Sequence, residues 1–378
     1  MEELMDIDLT APLPSYPEGF RSGFASLVGR PNAGKSTLTN ALVGQKVAIT
    51  SNRPQTTRHT IRGIVHKDDY QLILIDTPGI HRPRTLLGER LNDLVAGTLS
   101  QVDVLGFCIP ANEKIGPGDR YIASQLVAAS NKPVVAIVTK ADTVGNEQLT
   151  EQLLAVQALG EEVMSAERAS RAQRATHRAK QGSNPKKARK NDAVPFAKGS
   201  GPAARRAAGT VQEEPLPVDG KGGWADIIPV SAVQDFQVDA VANLLASYTP
   251  TSPPLYPAGE LTDEPEATLI AELVREAALE GAREELPHSI AVTVEEMEFR
   301  QGRPEHNPLL DVHVNLYVER DSQKAIIIGK GGSNLRKIGA KAREQIETML
   351  GTRVYLGIHV KVAKEWQSDP RALNRLGF

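Results

Sequence analysis

The chain has 378 residues, 40% hydrophobic and 24% charged, an ordinary globular balance with room for two or three domains. Its 44 Lys and Arg against 46 Asp and Glu leave a formal charge of −2, which as an average argues against a nucleic-acid binder. The single cysteine, Cys108, excludes a disulfide framework and a multi-cysteine zinc site, and no run of about eighteen apolar residues offers a membrane span.

Residues 1–20 are acidic and dotted with prolines. They lack the basic start and apolar stretch of a signal peptide, so a flexible extension on a cytoplasmic protein is expected. From 21 onward, short apolar runs alternate with helix-compatible stretches: FASLVG (24–29), YQLILID (70–76), VDVLGFCI (102–109) and PVVAIVT (133–139). Runs of this length, rich in Val and Ile and ending at turn residues, predict buried parallel strands joined by crossover helices. The expected unit is an α/β domain over 21–248 with a mixed, mostly parallel sheet.

Within it, Gly29-Arg30-Pro31-Asn32-Ala33-Gly34-Lys35-Ser36 matches G-x-x-x-x-G-K-[ST] between a strand and a helix. The glycines let backbone N–H groups surround phosphate oxygens, Lys35 neutralises the outer phosphates and Ser36 ligates Mg²⁺. The expected cradle runs from Gly29 to Thr37. Asp76-Thr77-Pro78-Gly79 ends the second apolar run. A carboxylate at that sheet edge suits a Mg²⁺ held through water, whereas a plain turn is the bland alternative.

Thr139-Lys140-Ala141-Asp142 ends the last of the four runs. Asp142 can accept two N–H donors from guanine, which adenine does not offer, and the backbone at Ser231-Ala232 would donate to the guanine O6. Between Arg168 and Arg206 the apolar pattern collapses: 12 of the 44 basic residues and one of the 46 acids lie there. Such a stretch buries too little surface to offset its chain entropy, so a disordered insertion is expected over about 165–223. The rest of the chain then holds 32 basic against 45 acidic residues, and near-neutrality conceals an acidic body with a basic arm. A tolerated loop, an electrostatic arm for RNA and a contact to anionic lipid all remain open for it.

After strand-like ADIIPVSA (225–232) and helix-like VDAVANLLASY (238–248), a Pro-rich linker spans 249–265. Residues 266–378 then read helix, strand, strand, helix, helix, strand, with a helix over 267–282 and strands over 289–299, 309–319 and 353–362. The helix around 272–287 looks like an ordinary packed helix with one charged face. Gly329-Lys330-Gly331-Gly332 is a G-x-x-G loop between helical stretches, flanked by Lys324, Arg336 and Lys337. Such a loop brings backbone close to a single-stranded phosphate–sugar chain. Four histidines on or near the strands lack metal-ligand spacing, and Trp224 and Trp366 are expected in packing.

GRPNAGKS, the segment PQTTRH (54–59) and DTPG together resemble the translation-factor-like GTPases, and the Era family in particular. VERDSQKAIIIGKGG and IGAKAREQIE are similar to that family's type II KH domain. The resemblance implies a GTP-hydrolysing, RNA-binding protein with GTP or GDP and Mg²⁺ as ligands, the metal held by Ser36, Asp76 and Thr57 (or Thr56). It further implies the 3′ end of 16S rRNA in assembling 30S subunits as partner, with a monomeric chain and a peripheral contact at the inner membrane surface. Catalysis would involve Lys35, Thr57, Gly79 and Asn32. Two departures stand out. Thr139 replaces the usual Asn, which puts a hydrogen bond to base or P-loop in doubt. Ile80 stands where a Ras-like enzyme carries its water-orienting glutamine, so slow hydrolysis helped by K⁺ near Asn32, or by a partner, is implied, with Asn32 as a plain turn residue the alternative. Rival readings are a related GTPase with another RNA task and an RNA-binding assembly chaperone with negligible turnover.

Overall fold

The computed structural model describes residues 16–50, 60–79, 85–129, 132–182, 223–280, 289–304 and 306–378. The first half builds β1 (Arg21–Val28), α1 (Lys35–Val43), β2 (Ile61–His66), β3 (Tyr70–Asp76), α2 (Leu86–Gln101), β4 (Val104–Pro110), α3 (Pro117–Ala129) and β5 (Val134–Thr139). It closes with α4 (Asn146–Gly182), β6 (Asp226–Pro229) and α5 (Val238–Ser247). The strands form one six-stranded sheet in the order β2-β3-β1-β4-β5-β6, parallel throughout except for β2 against β3. β2 was not singled out in the sequence; it is a short antiparallel edge strand with a weak apolar signal.

Alternation along the strands feeds two cores. Leu105, Phe107, Ala136 and Val138 pack with Val95, Leu126, Val156 and Leu159 of α2, α3 and α4. Val104, Cys108, Val135 and Ile137 pack on the other face with Leu38, Val241 and Leu245 of α1 and α5. Helices on both faces leave the strand ends as the sheet's polar edge, where ligands of such folds sit.

The second half builds α6 (Glu266–Glu280), β7 (Ala291–Phe299), β8 (Leu309–Val318), α7 (Asp321–Ile328), α8 (Ser333–Leu350), β9 (Arg353–Val362) and α9 (Pro370–Arg375). Its three-stranded sheet, β7-β8-β9, pairs β7 antiparallel and β9 parallel to β8. Val312, Val314 and Leu316 point into a core with Ile270, Val274, Ile338 and Ile346 of α6 and α8. The opposite sheet face carries Asp311, His313 and Asn315.

Two expectations need correcting. The basic insertion does not begin in disorder near 165: α4 runs on to Gly182. Its Ala, Arg, Glu and Gln content favours helix even where no core is available, so low hydrophobicity is a poor guide to local order there. The remainder of that insertion, from 183, lies outside the described residues. Nor do Glu272, Arg275 and Glu276 of α6 form an exposed charged face, since all three are buried; residues 281–287 of that expected helix lie outside the described residues. Arg275 forks onto Glu272 at 2.9 and 2.6 Å, a pairing that burial of such charges demands. The Pro-rich linker lies against the first sheet. Buried Gln71 of β3 accepts from the N–H groups of Leu255 and Tyr256 and donates to the Tyr256 carbonyl, while Ile64 N–H donates to Leu261. The linker thereby covers the β2 edge.

Both tryptophans sit in packing, as expected. Trp224 Nε1 donates to the Val156 carbonyl at 2.7 Å, and Gly160 makes room: a Cβ there would lie 2.8 Å from that nitrogen. Trp366 joins Leu373 and Leu376 against Leu87 and Leu91 of α2, tying the C-terminal end to the first half. Among the described residues no helix is long and apolar enough to cross a membrane.

Candidate functional site

The loop from Gly29 to Gly34 joins the end of β1 to α1 at the sheet's polar edge. Its tightness is visible in what a side chain would meet. A Cβ on Gly29 would come 2.6 Å from the Cys108 carbonyl, and one on Gly79 would come 2.8 Å from the Pro31 nitrogen. Asn32 and Gly34 hold positive φ, 62° and 86°. The DTPG turn is thus pressed against the loop, and Thr77 Oγ1 fastens it by donating to the Leu27 carbonyl at 3.0 Å.

Lys35 is buried, and its Nζ donates to the carbonyls of Gly29 and Arg30, each at 3.2 Å. Burial lowers its pKa, and the nearby Asp76 carboxylate pulls it back up. An ammonium held inside a glycine loop attracts a polyanion. Ser36 Oγ donates to Asp76 Oδ2 at 2.6 Å, so a hydroxyl and a carboxylate at the ends of different elements converge on one point. Two hard oxygen donors beside a phosphate cradle fit Mg²⁺, which keeps waters and phosphate oxygens as its other ligands. Among the described residues no group of three His, Cys, Asp or Glu is placed to hold a metal.

The Arg30 guanidinium pairs with Glu113 at 2.9 Å and with Asp119 of α3 at 3.0 Å. Cys108 lies behind the loop, and burial pushes its thiol up to about 12, so it carries no thiolate chemistry.

The Thr139-Lys140-Ala141-Asp142 turn meets the same loop. Thr139 Oγ1 donates to the Ala33 carbonyl at 2.7 Å, so the shorter side chain keeps the P-loop tie that its replacement of Asn put in doubt. Lys140 takes a left-handed conformation, φ 58°. Asp142 is exposed, and Ser231 Oγ sets its carboxylate by donating to Oδ1 at 2.6 Å. The Ser231 N–H itself donates to the Phe236 carbonyl. Thr56, Thr57 and Ile80 lie outside the described residues.

In the second half, Gly329, Gly331 and Gly332 all hold positive φ (70°, 59° and 75°), which lets the loop turn sharply between α7 and α8. Lys330 is exposed and Lys324 half-buried; Arg336 and Lys337 project from the first turns of α8. Arg336 also donates to the Gly331 carbonyl at 2.7 Å, bracing the loop.

Two polar residues escaped the sequence reading. Asn334 donates to the carbonyls of Ile326 and Ile327, satisfying the end of α7. Glu276 of α6 accepts from Thr50 N–H (2.8 Å) and Thr50 Oγ1 (3.1 Å), from Lys46 and from Gln345 of α8 (3.3 Å). It joins the segment after α1 to the helix that carries the glycine loop. The available signal was an acid set in the apolar stripe of α6, and it names no partner.

Comparison with known proteins agrees with this division. A family described as a 50S ribosome-binding GTPase matches residues 24–140, and a KH domain family matches residues 285–367. GTPase Era of Streptomyces coelicolor is 55% identical over 358 residues, 95% of each chain. The crystal structure of Era with MgGDPNP and nucleotides 1506–1542 of 16S ribosomal RNA superimposes with a TM-score of 0.73 at 30% identity, covering 95% of this chain and 99% of that one. An Aquifex aeolicus Era variant bound to GDP·AlF4⁻ gives 0.74 at 29% identity, with the same coverage. At that identity over nearly the full length of both chains, the protein belongs to the Era family of GTPases.

Proposed function

We propose that the protein binds GTP at the Gly29–Thr37 loop, hydrolyses it slowly to GDP and phosphate, and binds the 3′ end of 16S rRNA through its KH domain during 30S assembly. The observation that carries the reading is the Ser36–Asp76 hydrogen bond beside the loop that encloses buried Lys35, with Thr139 tied to the same loop. Backbone N–H groups from Gly29 to Thr37 hold the phosphates, and Lys35 draws charge from the outer pair. Ser36, Asp76 and Thr57 would hold Mg²⁺, which offsets the charge of the β and γ phosphates. Asp142 selects guanine, with the Ala232 N–H on O6.

For hydrolysis the chain has no polar side chain at Ile80 to orient water. Transition-state charge falls to Lys35, the loop amides and the Gly79 N–H, with Asn32 as the side chain that would hold K⁺. GTP turnover compared in K⁺ and Na⁺ tests that role: faster turnover in K⁺ is expected, and equal rates remove it.

RNA recognition through Gly329–Gly332, Lys324, Lys330, Arg336 and Lys337 is supported by the exposed basic loop and by the RNA-bound Era that this chain resembles. Crosslinking in GTP-bound and GDP-bound states, with identification of the RNA, tests both the partner and its dependence on nucleotide. The basic stretch 168–206 has three readings: a tolerated loop, an arm of sequence-independent affinity for RNA, or a contact to anionic lipid. A 168–206 deletion with an unchanged salt slope for RNA removes the arm.

A further inference from the structure

A second group of aromatic and basic side chains lies outside the glycine loop, on the open face of the β7-β8-β9 sheet. Register sets Asp311 beside Tyr355 and His313 beside Gly357. A Cβ on Gly357 would fall 2.6 Å from His313 Nδ1, so the glycine gives the imidazole its place across β9. The His313 ring meets Tyr355 edge-on with centroids 5.9 Å apart. Arg300 is fixed by two hydrogen bonds to Asp311, at 2.8 and 2.7 Å, and its guanidinium carbon lies 5.3 Å from the centre of the Tyr355 ring. Tyr355 is therefore braced by two neighbours while remaining 48% exposed. A packing tyrosine would bury its ring; this one is oriented and left open.

Its position gives the ring a use. A cavity of about 950 Å³ runs from Gly332 and Arg336 on α8 to Tyr355 on β9, with Arg303, Arg343 and Arg353 along its walls. The acid in that wall, Glu347, is engaged by the Val354 N–H at 2.9 Å. The tyrosine and the glycine loop thus share one basic cleft. A single RNA strand matches both features, because it carries phosphates for the arginines and flat bases for an aromatic ring.

We propose that Tyr355, held by Arg300 and His313, is a stacking subsite for one unpaired nucleobase of an RNA strand leaving the glycine-loop cleft. This rests on the RNA reading of the KH domain. The ring supplies affinity through its π-face and reads no hydrogen-bond pattern, so the subsite tolerates any base. The guanidinium against the same ring adds a cation–π contact that keeps the platform rigid before RNA arrives.

The full-length protein with GDPNP and Mg²⁺ is titrated with an RNA of nucleotides 1506–1542 of 16S rRNA and with a set carrying one abasic nucleotide each. Tyr355→Ala is expected to weaken binding about 5- to 100-fold with the salt slope unchanged, and Tyr355→Phe to retain wild-type affinity. One abasic position should cost the wild type a similar factor and cost Tyr355→Ala nothing further. Wild-type binding with Tyr355→Ala within twofold of it, or no abasic position coupled to Tyr355, overturns the stacking subsite alone. Failure of the wild type to bind the RNA overturns the RNA reading beneath it.

Discussion

Among the described residues two glycine–lysine loops solve opposite problems. The loop at Gly29–Lys35 is enclosed: a methyl group on Gly29 has no space, and the lysine is buried against two carbonyls. The loop at Gly329–Gly332 is open: Cβ atoms on Gly331 and Gly332 would meet nothing within 4 Å, and Lys330 is exposed. In the first, glycine is needed for space as well as conformation; at Gly331 and Gly332 it is needed for positive φ alone. An enclosed lysine with fixed partners suits one compact polyanion, whereas an exposed one serves a chain that enters from either side as a screened point charge.

The largest effect that tests this contrast is Lys35→Ala, expected to weaken GTP binding on the order of 100-fold, read by calorimetry or nucleotide fluorescence. RNA affinity of the nucleotide-free protein should stay unchanged. Next comes Lys330→Glu, for which filter binding should show about a tenfold loss of RNA affinity and a shallower salt dependence. GTP affinity should not move, and if it did, the two loops would not be separate sites. Thr139→Val is the smallest and sharpens the comparison from inside the enclosed loop. It removes the donor to the Ala33 carbonyl, for an expected loss of about 1 kcal/mol in stability by urea unfolding.

Local spacing made much of this legible. The strand–GRPNAGKS–helix order, the acid ending YQLILID and the G-x-x-G between helices are short-range patterns, and each fixes its own backbone. What escaped was set by distant partners or by competing terms. The helix past Arg168 came from propensity outrunning hydrophobicity. Glu272 and Arg275 read as a solvated face because each one's burial is acceptable only with the other present. Thr139 looked like a loss because Ala33, 106 positions away, is not visible from TKAD.

Glu276 can be considered as a count of valences. An ionised carboxylate has about four lone-pair sites. Among the described residues four donors reach this one: the Thr50 amide and hydroxyl on Oε1, Lys46 and Gln345 on Oε2. Those donors come from two sides, the segment after α1 in the first half and α8 in the second. Drawing either away from α6 takes hydrogen bonds from the same buried carboxylate, so the two halves share one acceptor and its satisfaction binds them to a common position.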